Sequence, residues 1–281
     1  MSTVTLVRRQ ARSGLLHDWG VRAGGLLLAF VVFVALFGGL LPGQSPYATV
    51  GIPGAAPGSG HLLGLDFEGR DVLARFLHGG SSTLVLAVTA TVLIYALGIS
   101  FGLLAGYSRS IIDPLLMRTV DVLLSLPSLL VILLFITGLG SSRPVLVAAA
   151  AVVLFPGVAR IVRSATLEVS TRGYVEAAVA RGESTVATLR REVLPNILPP
   201  IVADMGLRFS WSIILIASVN FLGLGIRPPT PDWGLMISEN LVILPSNPLA
   251  VVAPAAMIGL LIIAVNLISD GIMRVLSGGD R

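Results

Sequence analysis

The sequence predicts an all-α polytopic membrane protein with six transmembrane helices, and three observations support this fold class. Of the 281 residues, 54% are hydrophobic and only 12% are charged, whereas a soluble domain carries about 25% charged residues. The mean hydropathy is +0.91. Six apolar stretches are each about 20 residues long, the length that an α-helix needs to cross the hydrocarbon core. They lie near 22–41, 83–106, 115–138, 144–162, 203–224 and 251–271.

The arginines predict the orientation of these spans. All 19 basic residues are arginine, and loops on the cytoplasmic side carry an excess of basic residues. Placing the N-terminus inside leaves only Arg70, Arg75, Arg143 and Arg227 outside, with Arg208 ambiguous. We therefore expect a multi-pass protein of a bacterial cytoplasmic membrane with both termini inside.

This orientation divides the chain into one membrane domain and its loops. Residues 1–21 form a cytoplasmic N-terminal segment, in which the basic and apolar residues before the first span favour either a short interfacial helix or a basic tail. Residues 22–281 form the six-span domain. Its outside loops lie at about 42–82 and 225–250, and its main cytoplasmic loop lies at about 163–200.

Composition excludes several kinds of chemistry. Without lysine the chain has neither the phosphate-binding loop of a P-loop ATPase nor a Schiff-base lysine. Without cysteine it forms no disulfide and no thiolate metal site. His17, His61 and His78 lie far apart, so no metal centre is expected. The sequence pI of about 10.3 follows from membrane topology rather than from nucleic-acid binding.

The first outside loop opens with proline and glycine, which favour irregular structure. Residues 71–77 are then predicted to form a separate amphipathic helix near the membrane surface, because Val72, Leu73, Phe76 and Leu77 share one face. Such a helix packs on the transport core, contacts an external protein, or only closes the loop.

Charged residues and prolines mark the third and fourth spans. Asp113 followed by Pro114 predicts a helix start, with the aspartate as N-cap. Arg118 lies three residues before Asp121 on the same face, so these two are expected to pair. Pro127 and Pro156 each remove a backbone hydrogen bond, at a gating bend or at a packing kink.

Polar residues in the last two spans have two open interpretations. Asp204 and Arg208 are spaced for an i,i+4 pair that faces protein or a water-filled cavity. Asn220 and Asn266 either line a path or bond neighbouring helices, and the second role is favoured. The proline-rich loop that contains Trp233 predicts a rigid, partly re-entrant plug.

The stretch at 174–200 is a polar island between apolar spans. Residues 176–181 favour a short helix that ends at Gly182, and Ser184 or Thr185 can cap a second helix through about Val193. Prolines at 195, 199 and 200 are expected to end that second helix. Two short helices bury little surface alone, so this loop is expected to dock on a partner.

These residues resemble the signature of the membrane subunits of ABC importers. The match to E-A-A-x3-G-x9-I-x-L-P includes Glu176, Gly182 and Pro195, while Glu192 stands where the family has isoleucine. Further fragments resemble the dipeptide, oligopeptide and nickel branch and together cover about residues 60–240. They are GLD at 64–66, GRDVL at 69–73, Asp121 with SLP at 125–127, FLGLG at 221–225, Pro228 with Pro229, and Trp233 with Gly234.

The resemblance implies a type I ABC importer fold and a transport subunit that is not itself an enzyme. Its expected partners are a sister permease subunit, one or two ATPase subunits that bind ATP and magnesium, and an external binding protein for dipeptides or oligopeptides. No cofactor is expected in this chain. The coupling residues implied are Glu176, Ala177, Ala178, Arg181, Gly182, Leu194 and Pro195. The candidate pathway or gating residues are Asp121, Pro127, Asp204, Arg208, Asn220 and Asn266.

Two alternatives remain at this point. Nickel chelates are a second cargo within the same branch. A stand-alone secondary transporter is a different class, but it would usually keep several ionisable residues near the middle of the membrane. Asp121, Asp204 and Arg208 instead lie near the cytoplasmic ends of their spans.

Overall fold

The computed structural model describes residues 18–41, 43–58, 60–108 and 110–276. The predicted N-terminal interfacial helix lies outside these ranges. Within them the chain is helical, with three isolated β-bridges in the first outside loop and no strand. The α-helices are α1 Trp19–Phe37, α2 Val72–Tyr107, α3 Ile112–Ser125, α4 Ser128–Leu139, α5 Arg143–Ser170, α6 Gly173–Ala180, α7 Thr185–Thr188, α8 Leu194–Phe221, α9 Trp233–Glu239 and α10 Leu249–Leu276.

The described residues contain five helices that are long and apolar enough to cross a membrane, and six candidate spans if α3 and α4 count as one. This confirms the predicted fold class. The prediction of one continuous span at 115–138 is wrong, because α3 and α4 meet at an angle of 93°. Leu126 is extended there, and Pro127 has no amide hydrogen with which to continue the helix.

The helix α2 overturns the prediction of a separate surface helix at 71–77. Asp71 caps the helix by accepting a hydrogen bond of 2.8 Å from the amide of Ala74. The helix then continues without a break for 36 residues. Gly80, within this helix, marks a close approach, since a Cβ there would lie 2.6 Å from the ring of Trp233.

Small residues let α2 and α5 approach closely. Three glycines, four residues apart on α2, each face a β-branched residue of α5, and a Cβ on any of them would lie only 2.5 to 2.7 Å from its neighbour. The contacts join Gly98 to Val158, Gly102 to Val162 and Gly106 to Thr166. Membrane helices use such small-residue stripes to pack their backbones together. The helix α5 runs through Pro156 without interruption.

Ion pairs join neighbouring spans near their ends. Asp18 accepts two hydrogen bonds from Arg274, of 2.9 and 3.0 Å, and this pair ties α1 to α10. Asp113 is not the N-cap of α3 as predicted. Ile111 holds that position, and Asp113 instead accepts two bonds of 2.6 Å from Arg163 of α5. As the second residue of α3, Asp113 can point its side chain at the neighbouring helix.

Candidate functional site

Two short helices, α6 and α7, form the loop that the sequence places at about 163–200. Ser184 caps α7 by accepting a bond of 3.3 Å from the amide of Ala187. Gly182 joins the two helices with φ of +80°, and an added Cβ would meet nothing within 4 Å. The glycine is therefore required by its left-handed backbone conformation and not by lack of space.

The second short helix does not end at the prolines, so that prediction is wrong. A π-helical turn at Leu189–Val193 connects α7 to α8 directly. Pro195 lies in the first turn of α8, where a missing amide hydrogen costs nothing. The side-chain amide of Asn196 donates a bond of 2.6 Å to the carbonyl of Glu192 within the same turn. The loop is thus rigidly continuous with the fifth span.

One face of α6 belongs to the core of this chain. Val175 packs in a buried cluster with Val193 and Ile197, and Ala178 is also fully buried. Ala178 was expected among the coupling residues, but its burial means that it positions α6 and does not face a partner. Leu194 is half-buried against the same cluster.

The other face of α6 and α7 is exposed and largely apolar. Tyr174, Val179 and Val186 are exposed hydrophobic side chains. Glu176, Ala177, Arg181 and Pro195 are also exposed. A cleft of about 500 Å³ borders this face, and its lining is Tyr107, Ser170, Val175, Glu176, Val179 and Ala180. A second cleft of about 470 Å³ is lined by Ser184, Val186, Ala187, Arg190 and Arg191.

Arg181 connects the end of α6 to the turn that follows it and to the π-helical turn after α7. Its guanidinium lies 2.6 Å from Glu183 and 4.0 Å from Glu192. Glu192, which stands where the family has isoleucine, therefore lies near the positive charge of Arg181 in the same loop. This contact accounts for the difference from the family signature.

Asp204 and Arg208 pair as predicted. Arg208 Nε donates a bond of 2.9 Å to Asp204 Oδ2, and the hydroxyl of Tyr95 donates one of 3.0 Å to the same oxygen. The guanidinium of Arg208 lies over Gly157, where a Cβ would come within 2.7 Å of its nitrogens. The pair is largely buried and connects α8 with α2 and α5, so it acts as a structural joint.

Asp121 pairs with a different arginine from the one predicted. Arg160 of α5, and not Arg118 of its own helix, donates a bond of 2.6 Å to Asp121 Oδ1. Both side chains are more than half exposed, at 53% for Asp121 and 55% for Arg160. Arg160 was expected near the end of the span predicted at 144–162, and α5 continues for ten residues beyond it.

The two asparagines bond neighbouring segments, which was the favoured alternative. Asn220 is buried, donates a bond of 2.8 Å to Asp232 Oδ1, and accepts one of 3.0 Å from the amide of Ile226. Asn266 donates a bond of 2.8 Å to the hydroxyl of Ser210. Both residues are fully engaged in holding segments together.

Sequence reasoning missed a buried ionic network that joins the loop between α1 and α2 to the helices α2 and α9. Arg70 lies 2.7 Å from Asp66, and Arg75 lies 2.7 Å from Glu239 and 3.4 Å from Asp66. Burial raises the pKa of Glu239, and the two arginines oppose that shift. The close spacing of Asp66, Arg70 and Arg75 was a signal, but Glu239 lies 164 residues after Arg75.

A further buried carboxylate, Asp232, lies just before α9. It accepts hydrogen bonds from Thr83, Asn220 and the amides of Gly234 and Leu235, at 2.8 to 3.4 Å. Burial raises its pKa, and these hydrogen bonds oppose the shift. Asp232 therefore joins α2, α8 and α9 into one unit, and the plug predicted for this loop contains a short helix.

Comparisons with known proteins agree on the class of this architecture. The sequence profile described as "binding-protein-dependent transport system inner membrane component" matches residues 98–279. The chain is 35% identical, over 91% of its length and 87% of the relative's, to the di/tripeptide transport system permease protein DppC of Pseudomonas aeruginosa (strain UCBPP-PA14). It is 36% identical, over 77% of its length and 72% of the relative's, to the glutathione transport system permease protein GsiD of Pectobacterium atrosepticum.

Solved structures share the fold. The MetNI methionine ABC transporter, in an inward-facing conformation, matches with a TM-score of 0.53 and 21% identity over 69% of this chain and 94% of that one. An amino acid ABC transporter crystallised with histidines matches with a TM-score of 0.53 and 19% identity over 69% and 90%. These similarities confirm the predicted type I importer fold.

Proposed function

Because this chain belongs to the family of binding-protein-dependent transport system inner membrane components, we propose that it is the permease subunit of an ATP-driven importer of dipeptides and oligopeptides. The peptide cargo is supported by relatives named for dipeptides, di/tripeptides and glutathione. In this proposal the chain forms half of a translocation path with a sister permease. Partner ATPases bind ATP and magnesium, an external binding protein delivers the peptide, and both termini face the cytoplasm.

The observation that carries the coupling role is the two-sided character of α6. Val175 and Ala178 fix its inner face to the core, while Tyr174 and Val179 leave apolar surface on its outer face. Exposed apolar surface rimmed by charges is typical of a protein contact. Glu176 lies in the first turn, where a negative charge suits the helix dipole and remains available to a partner cation.

Force applied to α6 has a direct route into the membrane. Val175 packs in the same buried cluster as Ile94 of α2, Val162 of α5 and Ile197 of α8. When ATP closes the partner ATPases, movement of α6 shifts these helices together, and the path changes from inward-open to outward-open. The energy comes from the difference in the affinity for ATP between the inward-open and outward-open states.

Two substitutions test this role in the complete importer. Glu176→Arg reverses the charge on the docking face, and Gly182→Val places a β-branched side chain at positive φ. Each is expected to leave membrane insertion intact, to lower peptide uptake by at least about tenfold, and to lower substrate-stimulated ATP hydrolysis. The measurements are uptake of a labelled dipeptide and ATPase rate in reconstituted vesicles, with insertion checked by protease protection.

The matched control is Gly25→Ala. Gly25 lies inside α1 at ordinary helical φ, and an added Cβ there meets nothing within 4 Å. Alanine favours a helix over glycine, so uptake should stay at the wild-type level. Normal uptake and stimulated hydrolysis in both test variants would show that this loop does not couple the ATPases to transport.

A further inference from the structure

Two loops at the end of the molecule where α2 begins expose apolar side chains. In the loop between α1 and α2, Val50 is exposed and Ile52 is 79% exposed. In the short turn after α9, Val242 is 77% exposed, and Leu241 and Leu244 beside it are also exposed. We call the surface formed by these side chains the apolar platform.

Direct contacts hold the two loops together as one surface. The side-chain amide of Asn247 donates a hydrogen bond of 2.9 Å to the carbonyl of Leu63. Gly54, two residues after Ile52, packs so closely on Ile243 that an added Cβ would lie 3.1 Å from its side chain. The platform is therefore formed before any partner binds, and little ordering entropy is lost on binding.

The backbone of the platform is irregular, which excludes lipid tails as its surroundings. Between Leu40 and Val72 the described residues form isolated β-bridges and turns and no helix. Irregular backbone in contact with lipid would leave amide and carbonyl groups without partners, so such loops are not found in the hydrocarbon region. The exposed apolar side chains therefore face water or another protein.

The two loops also lack charge. The sequence contains no aspartate, glutamate, arginine or lysine at 42–65 or at 240–248. Glu68, the next exposed acid along the chain, is paired with Arg70 at 2.8 Å. The centre of a protein interface is depleted in charged residues in the same way. Exposed apolar side chains without charge, on loops outside the hydrocarbon, are typical of a surface that binds protein.

We infer that the apolar platform docks the external binding protein through an uncharged contact, an inference that rests on the proposed function. The chain belongs to a family of binding-protein-dependent transport components, and in the proposed orientation the platform faces outside. Complementarity in charge requires an uncharged partner surface, because a charged one would lose its water here without gaining a counter-charge. A rigid surface of a few side chains makes a small contact, which suits a partner that binds and leaves better than a permanent subunit.

The platform is connected to α2. The amide of Gly54 donates a hydrogen bond of 2.9 Å to the carbonyl of Asp66, and the carboxylate of Asp66 lies 3.4 Å from Arg75 of α2. The helix α2 ends at Tyr107, which lines the cleft beside α6. A protein docked on the platform therefore acts on a helix that reaches the loop proposed to contact the ATPases.

Binding measurements on the complete importer in lipid nanodiscs test this docking surface. The probe is the purified peptide-binding protein of the same transport system, loaded with a fluorescent dipeptide. Ile52→Asp and Val242→Asp each place a charge on the platform at an exposed position, so folding should be unaffected, while binding should weaken about tenfold or more. The wild-type Kd should change less than about twofold between about 50 and 500 mM salt, because the contact has no charges to screen.

The matched control is Gln44→Glu. Gln44 is an exposed residue of the same loop and lies outside the platform, and the substitution adds the same negative charge with little change in shape. The Kd of this variant should stay within about twofold of the wild type. Basal ATP hydrolysis, measured without binding protein, should remain at the wild-type level in all three variants, which shows that the subunits stay assembled.

Other outcomes would overturn the inference while leaving the proposed function intact. Wild-type affinity in both aspartate variants would place the docking surface elsewhere. Loss of the sister permease from these variants would show that the platform is a contact between subunits. Strong weakening of wild-type binding by salt would show that the contact is ionic. A wild-type importer that neither binds the peptide-binding protein nor takes up dipeptide would instead remove the proposed function itself.

Discussion

The two ends of this molecule are built in opposite ways. At the end that contains the loop between α1 and α2, Arg70 and Arg75 are buried and pair with Asp66 and Glu239. At the opposite end, α6 and α7 direct exposed apolar side chains away from the core. The buried charges of the first end are paired within the chain, whereas α6 and α7 leave apolar surface that another protein can cover. Stability should therefore depend most on the first end and assembly most on the second.

The largest expected effect is from Arg75→Ala, which leaves Glu239 buried without its closest cation. Breaking such a buried pair costs about 3–5 kcal/mol in the free energy of unfolding. Thermal unfolding of the detergent-solubilised protein, followed by tryptophan fluorescence, measures the change. Trp233 packs on Phe76 one residue from Arg75 and reports on this end.

Arg172→Ala is the control for that comparison. Arg172 also contacts a glutamate, at 2.6 Å, but both side chains are more than half exposed. The expected loss is within about 0.5 kcal/mol. Equal losses in the two variants would contradict the contrast between the ends.

A smaller effect separates the two faces of α6. Val175→Ala removes two buried methyl groups and should lower the free energy of unfolding by about 2 kcal/mol. Val179→Ala, on the exposed face, should change it by less than about 0.5 kcal/mol but weaken binding of the partner ATPase by about 1 kcal/mol. Unfolding and ATPase titrations on the same two variants measure both. The reverse pattern would mean that α6 presents its other face to the partner.

The smallest effect concerns the pH response of the Asp18–Arg274 pair. Arg274 donates hydrogen bonds to Asp18, and together with the amide of Val21 it lowers the pKa of Asp18 from 3.8 to about 2. A lowered pKa stabilises the folded state above pH 3.8, and this contribution is lost as the pH falls towards 2. The stability difference between wild type and Asp18→Asn should be constant from pH 5 upwards and shrink between pH 4 and 2. A difference that changes between pH 6 and 8 would exclude this cause.

Local patterns in the sequence predicted much of the fold. Apolar length identified most of the spans, Ser184 was one of two candidate caps, and Gly182 was recognised as the turn between the short helices. Each of these depends on a few neighbouring residues. The prolines at 195, 199 and 200 misled, because the π-helical turn at Leu189–Val193 leads directly into α8, which continues through Pro199 and Pro200.

Contacts between distant segments could not be read from spacing. Asp121 had a candidate partner three residues away, yet its actual partner, Arg160, comes from α5, 39 residues later. Glu239 joins the outer network across most of the chain. Such pairings follow from the way in which the helices pack. The three glycines of α2 determine that packing only together with the residues of α5 that they contact.

The unbroken helix α2 has a mechanical consequence for the molecule. It carries Arg75 in the outer network and ends at Tyr107, beside Glu176 in the cleft next to α6. Its 36 residues make a rod about 54 Å long. A tilt of only about 5° about one end displaces the other by roughly 5 Å, about the width of an extended chain. A stiff helix of this length would convert a small rotation at the α6 end into a displacement of molecular size at the opposite end.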